Sequence, residues 1–535
     1  MSRSASNRSR PFRKARGCAA ARAVEELGTG ASSTTPAAKP AASAINLNFF
    51  PSLIADKATL TIASIAHHFR RLVLYFQNIS RLLLCVSIAL PAAPAVAANS
   101  TRTRLIAVSP SPAGSPVTLT AEVDAPAGVG GATGRVSFTD GERIVGSALV
   151  NALGGAQTSL SLGLAHACAL ASPSGVECWG WNKYGQLGDG ATTDHLPAPV
   201  TGLTKRVVAL AVGGVHSCAL TVEGAVICWG ENSLGQLGGP TPDRAQPAPT
   251  PVPGLSSGVI AIASGSYHSC AVTEAGAIFC WGRNVEGQIG NGVDLETFAP
   301  PTRVGGPAEI YTDVAGGASH SCGLTNAGAV LCWGQGFGKV PTPVAKLGSG
   351  VVALTAGSYH DCALTKAGAV QCWGPAWNAG APTPVAGLSS GVVAISSGSG
   401  HDCALLRDGG VRCWGYNQYG QLGDGTTTDR TIPTPVLNLG AAAVAIAAGF
   451  DFSCALLSTR AVKCWGYNEV GEIGDGGVTN QPLPVPAKGL SALLRTRARL
   501  TTSTLGNGLH ALRANYLGDA AHAPSQSTPL PMRLK

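Results

Sequence analysis

Charge is scarce in this 535-residue chain, where Asp, Glu, Lys and Arg together make up 12%. Aromatic residues are few, at 5%, and there are only two methionines. Disorder goes with low hydrophobicity and high charge. At 45% hydrophobic residues the chain is excluded from that class. A coiled coil is excluded as well, since it needs Glu, Lys and Leu in quantity. No His/Glu metal motif and no cofactor fingerprint occurs. The body also lacks positive charge. Residues 1–98 carry a balance of +9 and residues 99–535 a balance of −1, which together make the formal +8. A near-neutral body has no electrostatic footprint for nucleic acid.

What is plentiful is glycine, 70 residues, and proline, 35. Many short strands joined by Gly/Pro turns, an all-β chain, fit that composition. The length allows three or four domains, or one repeat array with something smaller beside it.

Residues 1–98 read as a leader. Leu82–Leu90 (LLLCVSIAL) is an apolar run with Arg70, Arg71 and Arg81 ahead of it and small residues behind, including an A-x-A site near Ala95–Ala97. This is the layout of a secretory signal peptide. The run is too short to span a bilayer, which takes about 20 residues, so no stable membrane span is expected after cleavage. Residues 1–70 are too long for an n-region, which places the expected translation start near residue 70.

The cysteines divide the same way. Cys18 and Cys85 lie in the leader. The other fourteen form seven pairs of constant spacing: Cys168 with Cys178, Cys218 with Cys228, Cys270 with Cys280, Cys322 with Cys332, Cys362 with Cys372, Cys403 with Cys413 and Cys454 with Cys464. With the leader removed none is left over, which favours seven disulfides and an oxidising compartment.

Self-similarity is the dominant signal. Cys-Trp-Gly recurs at Trp179, Trp229, Trp281, Trp333, Trp373, Trp414 and Trp465, at offsets of 50, 52, 52, 40, 41 and 51 residues. That is the period of a propeller blade of about four strands. In the second unit, Val207–Gly213, His216–Thr221 and Ala225–Gly230 read as strands, and Pro251–Val252–Pro253 suits an edge strand. Pairing 218 with 228 leaves a three-residue hairpin loop whose third position wants a left-handed glycine. Gly224, Gly276, Gly328, Gly368 and Gly409 fall there. Ser174 and Arg460 replace it in units 1 and 7, so those two turns are expected to differ. The same register predicts Cys pairs that are not hydrogen-bonded, with Cα atoms about 4.5 Å apart, within reach of a disulfide.

The pattern G-x-x-H-x-C-A-L … G-x-V-x-C-W-G-x-N-x-x-G-Q-L-G-D-G resembles the regulator-of-chromosome-condensation repeat in its cysteine-paired bacterial form. The resemblance covers about residues 157–490. It implies a seven-bladed β-propeller, here residues 157–497, and by analogy a regulator or exchange factor for a GTPase. An exported, disulfide-rich chain with a neutral body does not suit nuclear exchange.

The flanks, 101–156 and 498–535, alternate in hydrophobicity with turn signals every 8–12 residues, as in an immunoglobulin-like sandwich. Read end to end they resemble one bacterial Ig-like repeat. The expected fold is therefore all-β, a seven-bladed propeller inserted into an Ig-like β-sandwich. Insertion is feasible because a closed ring brings its own ends together. Either Gln157–Leu162 or Leu493–Leu500 opens the first blade.

Several residues invite functional readings. His166, His216, His268, His320, His360 and His401 stand two residues before the first Cys of units 1–6, and Phe452 replaces the histidine in unit 7. A histidine hydrogen-bonded within the repeat outweighs a metal ligand there. The Gly-rich loops at Gly185–Gly190 and Gly420–Gly425 do not join strand to helix, so they are blade connections rather than phosphate cradles. Asp189 with Asp194, and Asp424 with Asp429, lack a full calcium ligand set. The repeated tryptophans suit packing between blades. Units 4 and 5 lack the long loop, which predicts a notch near Phe337, Tyr359 and Trp377, a candidate partner site. No cofactor is expected. The partner class is an unidentified protein or glycan, bound outside the cytoplasm, and the function is non-enzymatic binding. A hydrolase or lyase in the central channel is the competing reading.

Overall fold

The computed structural model describes residues 101–534, apart from short segments at 109–116, 125–134, 150–158, 172–174, 240–244, 294–297, 308, 375–379, 493–494, 503 and 519–522. The leader with Cys18 and Cys85, Ser174 and Trp377 lie outside the described residues. Every regular element among those described is a strand. None is a helix able to cross a membrane.

Seven four-stranded antiparallel sheets follow one another along the chain. Blade 2 shows the plan: Val207–Val212, His216–Thr221, Val226–Gly230 and Gln246–Pro251, paired in that order. The inner three strands are β-branched or small and almost wholly buried, as strands packed on both faces require. The outer strand is Pro-rich and partly exposed, and an edge is where missing N–H groups are tolerated. It runs upstream of the expected position and ends at Pro251, and Val252 N–H bonds Val226 O instead.

The hairpin register is the one expected: Cys218 faces Cys228, and Leu220 faces Val226. All seven expected cysteine pairs are disulfides. Cys168 is bonded to Cys178, Cys218 to Cys228, Cys270 to Cys280 and Cys322 to Cys332. Likewise Cys362 is bonded to Cys372, Cys403 to Cys413 and Cys454 to Cys464. The distance is where the expectation is corrected. Their Cα separations of 4.0–4.1 Å are shorter than the expected 4.5 Å, because the bond draws the two strands together.

Gly224, Gly276, Gly328, Gly368 and Gly409 all have φ near +80°. The turn of blade 7 does not differ from these, contrary to expectation. Arg460 takes φ +73° and donates its N–H to Leu457 O, as Gly224 does to Thr221 O. A Cβ there is tolerated at a cost of about 1–2 kcal/mol.

Leu160–Leu162 opens blade 1, which settles the seam. Arg495–Thr502 pairs instead with Val117–Asp124, from Val117 opposite Thr502 to Asp124 opposite Arg495. Each blade is thus one continuous stretch of chain. The ring closes through side chains and loops, not through a shared strand.

The flanking strands make two sheets. One holds Arg102–Val108, Val117–Asp124 and Arg495–Thr502. The other is built on Arg135–Asp140 and Gly508–Tyr516. Strands from before and after the propeller share one core, with Leu119, Val123, Phe138, Leu512 and Tyr516 buried in it. His510 Nδ1 meets Asp140 Oδ2 at 2.8 Å across the same join.

Candidate functional site

The histidines face the next blade. His166 Nε2 meets Ser217 Oγ at 2.9 Å, His216 meets Ser269 at 2.7 Å, His268 meets Ser321 at 2.8 Å and His401 meets Ser453 at 2.8 Å. Each acceptor is the residue before the first Cys of the following blade. The serine hydroxyl in turn donates to a loop carbonyl: Ser217 to Gln186 O, Ser269 to Gln236 O, Ser321 to Gln288 O and Ser453 to Gln421 O. A hydroxyl that spends its proton this way accepts from the imidazole, so Nε2 carries the hydrogen. Burial pushes His166, His216 and His268 down to about 3 and His401 to about 4, so all four are neutral donors at physiological pH.

The same carbonyls hold the repeated tryptophans. Trp229 Nε1 donates to Gln186 O, Trp281 to Gln236 O, Trp333 to Gln288 O and Trp465 to Gln421 O, each at 2.9 Å. Each indole is thus pinned by the loop of the blade before it. The packing role read from the sequence gains a hydrogen bond that the sequence does not display.

Blades 5 and 6 depart from this rule in a way the missing loops explain. His320 Nε2 meets Asp361 Oδ1 and His360 Nε2 meets Asp402 Oδ1, both at 2.8 Å. Blades 4 and 5 have no Gly-Gln-Leu-Gly loop, so no glutamine carbonyl is there to take a serine proton. A carboxylate needs no such acceptor. Burial works against a charged His360, but the Asp402 carboxylate outweighs it and holds the imidazole above its usual range. Three buried atoms remain without a partner at these two seams, Trp373 Nε1, Asp361 Oδ2 and Asp402 Oδ2.

The His/Cys/Asp groupings near these pairs use Cys322, Cys362 and Cys372, whose sulfurs are already in disulfides. The aspartates of the long loops are engaged within those loops. Asp194 accepts the Asn182 N–H at 2.7 Å, Asp189 accepts from Asn182 Nδ2, and Asp424 pairs with Arg430 at 2.8 Å. Sequence reasoning missed the asparagine at the centre of each long loop. Asn182, Asn232, Asn284, Asn417 and Asn468 each accept the N–H five residues on. Its invariable place two residues after Cys-Trp-Gly was the available signal.

The central channel is narrow and chemically plain. Gly163, Gly213, Gly265, Gly317, Gly357, Gly398 and Gly449 ring its mouth. A Cβ on Gly213 would lie 2.6 Å from Gly265 O, and one on Gly449 would lie 2.7 Å from Gly163 O. Deeper, a space of about 170 Å³ is walled by the innermost strands, with Leu210, Ile262 and Thr355 among the lining. Neither lining contains a titratable side chain. Two Gly-Leu-Ser-Ser-Gly stretches, Gly254–Gly258 and Gly387–Gly391, match G-x-S-x-G in letters. They are turns between blades, not a strand-to-helix elbow.

Several exposed or half-buried aromatic side chains lie on one face. His216 pairs with Gly230, so the start of each second strand and the end of each third strand share one end of the blade. We call this the loop face. Tyr416 (59% exposed), Tyr359 (58%) and Phe450 (39%) stand on it. Half-buried Trp181, Tyr184, Tyr419 and Tyr467 join them. Any Cβ on Gly400 would strike the Tyr416 ring, so glycine there lets the ring lie flat over its blade. Of the sequence-predicted site, Tyr359 is exposed. Phe337 is not a free anchor: it is half-buried and its ring centroid lies 5.5 Å from that of His320.

Fold and site together define a disulfide-stapled seven-bladed β-propeller with an aromatic loop face. Models of the regulator of chromosome condensation (RCC1) repeat match residues 176–220, 223–272, 275–324 and 408–456, and a second model of the same repeat matches 207–236, 259–288, 392–421 and 443–472. The matched stretches are RCC1 repeats, and they lie within the seven-bladed propeller. It is similar to the ultraviolet-B receptor UVR8 of Arabidopsis thaliana, 28% identical over 67% of this chain and 64% of the receptor. An 84-residue stretch is 38% identical to the probable E3 ubiquitin-protein ligase HERC4 of Mus musculus, covering 15% of this chain and 8% of the ligase. Among solved structures, Prp20p from Saccharomyces cerevisiae superposes with a TM-score of 0.53 at 22% identity, over 62% of this chain and 92% of that one. Human WBSCR16 gives 0.52 at 24%, over 59% and 90%. These likenesses show the fold.

Proposed function

We propose that the chain is an exported, non-enzymatic binding protein that recognises a protein partner through the loop face of its propeller. One observation carries the reading: aromatic side chains gather on the loop face of blades 5, 6, 7 and 1. Tyrosine and tryptophan supply large contact area with a polar tip and dominate the energetics of protein interfaces. Their spread over four blades is on the scale of a protein interface rather than of a small-molecule cleft. Export is supported by the seven disulfides, which persist in oxidising compartments. The flanking sheets are, in this reading, an immunoglobulin-like sandwich that carries the propeller in one of its loops.

The test is capture from the producing cell's envelope and surroundings by the oxidised protein. Trp181→Ala with Tyr416→Ala is expected to abolish capture of a discrete protein. Glu223→Ala with Glu274→Ala, on the opposite face, is expected to leave it intact. Equal capture by both variants overturns the reading, as does a purely glycan ligand.

A further inference from the structure

We propose that the patch where blades 6 and 7 meet on the loop face receives an arginine or lysine side chain of the protein partner. The proposal rests on the loop-face reading and adds its chemistry. Tyr419 and Tyr467 meet edge to face, with ring centroids 4.9 Å apart. The faces of aromatic rings attract cations. Tyr467 Oη donates to Glu469 Oε2 at 2.9 Å. Tyr467 N–H donates to Asp451 O, which sets these two residues side by side. Among the described residues the Asp451 carboxylate has only a long contact, from Gln421 Nε2 at 3.4 Å.

The buried carboxyl of the blade 7 loop belongs to the next seam, between blades 7 and 1. Glu472 closes the same loop as Tyr467 and Glu469. Its side chain is fully buried, and its Oε1 has no hydrogen-bond partner. The equivalent atom one blade earlier, Gln421 Nε2, reaches toward the Asp451 side chain on the loop face. Glu472 Oε1 takes that place at the next seam, where Ala165 has no polar side chain. Among the described residues none of Asp451, Glu469 and Glu472 forms an ion pair. The cation on the neighbouring loop of blade 1, Lys183, lies 5.5 Å from the Tyr184 ring centroid.

The combination is local. At the positions equivalent to Tyr467 and Asp451, blade 2 has Glu231 and Val215, and blade 3 has Arg283 and Tyr267. Two tyrosines and two carboxyl groups, Asp451 and Glu469, come together where blades 6 and 7 meet. A guanidinium suits them best, because it stacks on a ring while donating to carboxylates.

The test uses the oxidised protein labelled with 3-fluorotyrosine and followed by fluorine NMR at pH 8. The probes are acetyl-Gly-Arg-Gly-amide and its Glu and Leu counterparts. Saturable shifts are expected at Tyr419 and Tyr467 with the arginine peptide alone, with Tyr267 unmoved. Asp451→Asn and Tyr467→Leu are each expected to weaken binding about three- to tenfold. Glu469→Gln, at an exposed position beside Tyr467, is expected to weaken it while keeping the fold. It serves if Tyr467→Leu does not fold. No shift with arginine, equal shifts with leucine, or unchanged affinity in both Asp451→Asn and Glu469→Gln overturns the site. A captured partner that binds Asp451→Asn as tightly as wild type also overturns it, while the loop-face reading stands.

Discussion

Trp179 donates its indole N–H to the carbonyl of Glu472, 2.9 Å away, and so ties the first blade to the seventh across 293 residues. With no strand shared between the two ends of the ring, contacts of this kind are what closes it. A second closing contact runs from Phe450 N–H to Gly163 O at 3.0 Å.

The closing loop carries glutamate where the other long loops carry glutamine. Burial, with Glu469 and Asp194 nearby, pushes Glu472 up to about 7. A carboxyl whose folded value is raised favours the protonated fold. Stability is then full below the unfolded value and is lost as pH rises through about 7. Glu472→Gln is expected to stabilise by about 2–3 kcal/mol at pH 8 and by almost nothing at pH 4. Thermal unfolding at the two pH values checks this. An equal change at both would reject it.

Phe452 and Ala167 replace, at this seam, the histidine and hydroxyl that join blades at four others. Phe452→His alone buries an imidazole with no acceptor and is expected to cost about 1–3 kcal/mol. Adding Ala167→Ser supplies the acceptor, with Glu472 O placed to take the hydroxyl proton. A double-mutant cycle in denaturant is expected to show a favourable coupling of about 1 kcal/mol or more. Additive effects would show that the seam does not follow the rule of those four.

Trp229 and Trp373 occupy the same place in blades 2 and 5, yet only Trp229 has its loop carbonyl. Replacing each by Phe removes similar volume. Trp229→Phe is expected to cost about 1 kcal/mol more than Trp373→Phe, the worth of one hydrogen bond. Chemical denaturation of the two variants measures the difference directly. A Trp373→Phe variant as damaged as Trp229→Phe would be inconsistent with an unpartnered indole.

Each disulfide closes a short loop between residues ten apart in sequence. Cys218→Ala with Cys228→Ala is expected to lower stability by at most about 2–3 kcal/mol and to leave the fold in place. Reducing all seven is expected to abolish cooperative unfolding. Circular dichroism melts with and without reductant, paired with thiol counting, give the result.

Much of the blade was legible in the sequence. Alternation placed the inner strands. The three-residue turn with its glycine set the register in which Cys218 meets Cys228. Less legible was Arg460, whose side chain suggested another turn although its backbone adopts the left-handed one. The site was legible only in part. Tyr359 is exposed as expected, but Phe337 lies against His320 of its own blade, because the strand pattern does not show where a loop side chain folds back.

The sequence by itself determined whatever depends on neighbours along the chain: strand period, hairpin register, sulfur pairing and the number of blades. Those follow from backbone sterics and turn chemistry within about a dozen residues. Tertiary structure alone decided the partners of His166 and Trp179, the need for Asp361 where a loop is missing, and the gathering of Tyr419 and Tyr467 on one face. Each joins groups at least 41 residues apart. Such partners exist only once the blades stand side by side in a closed ring.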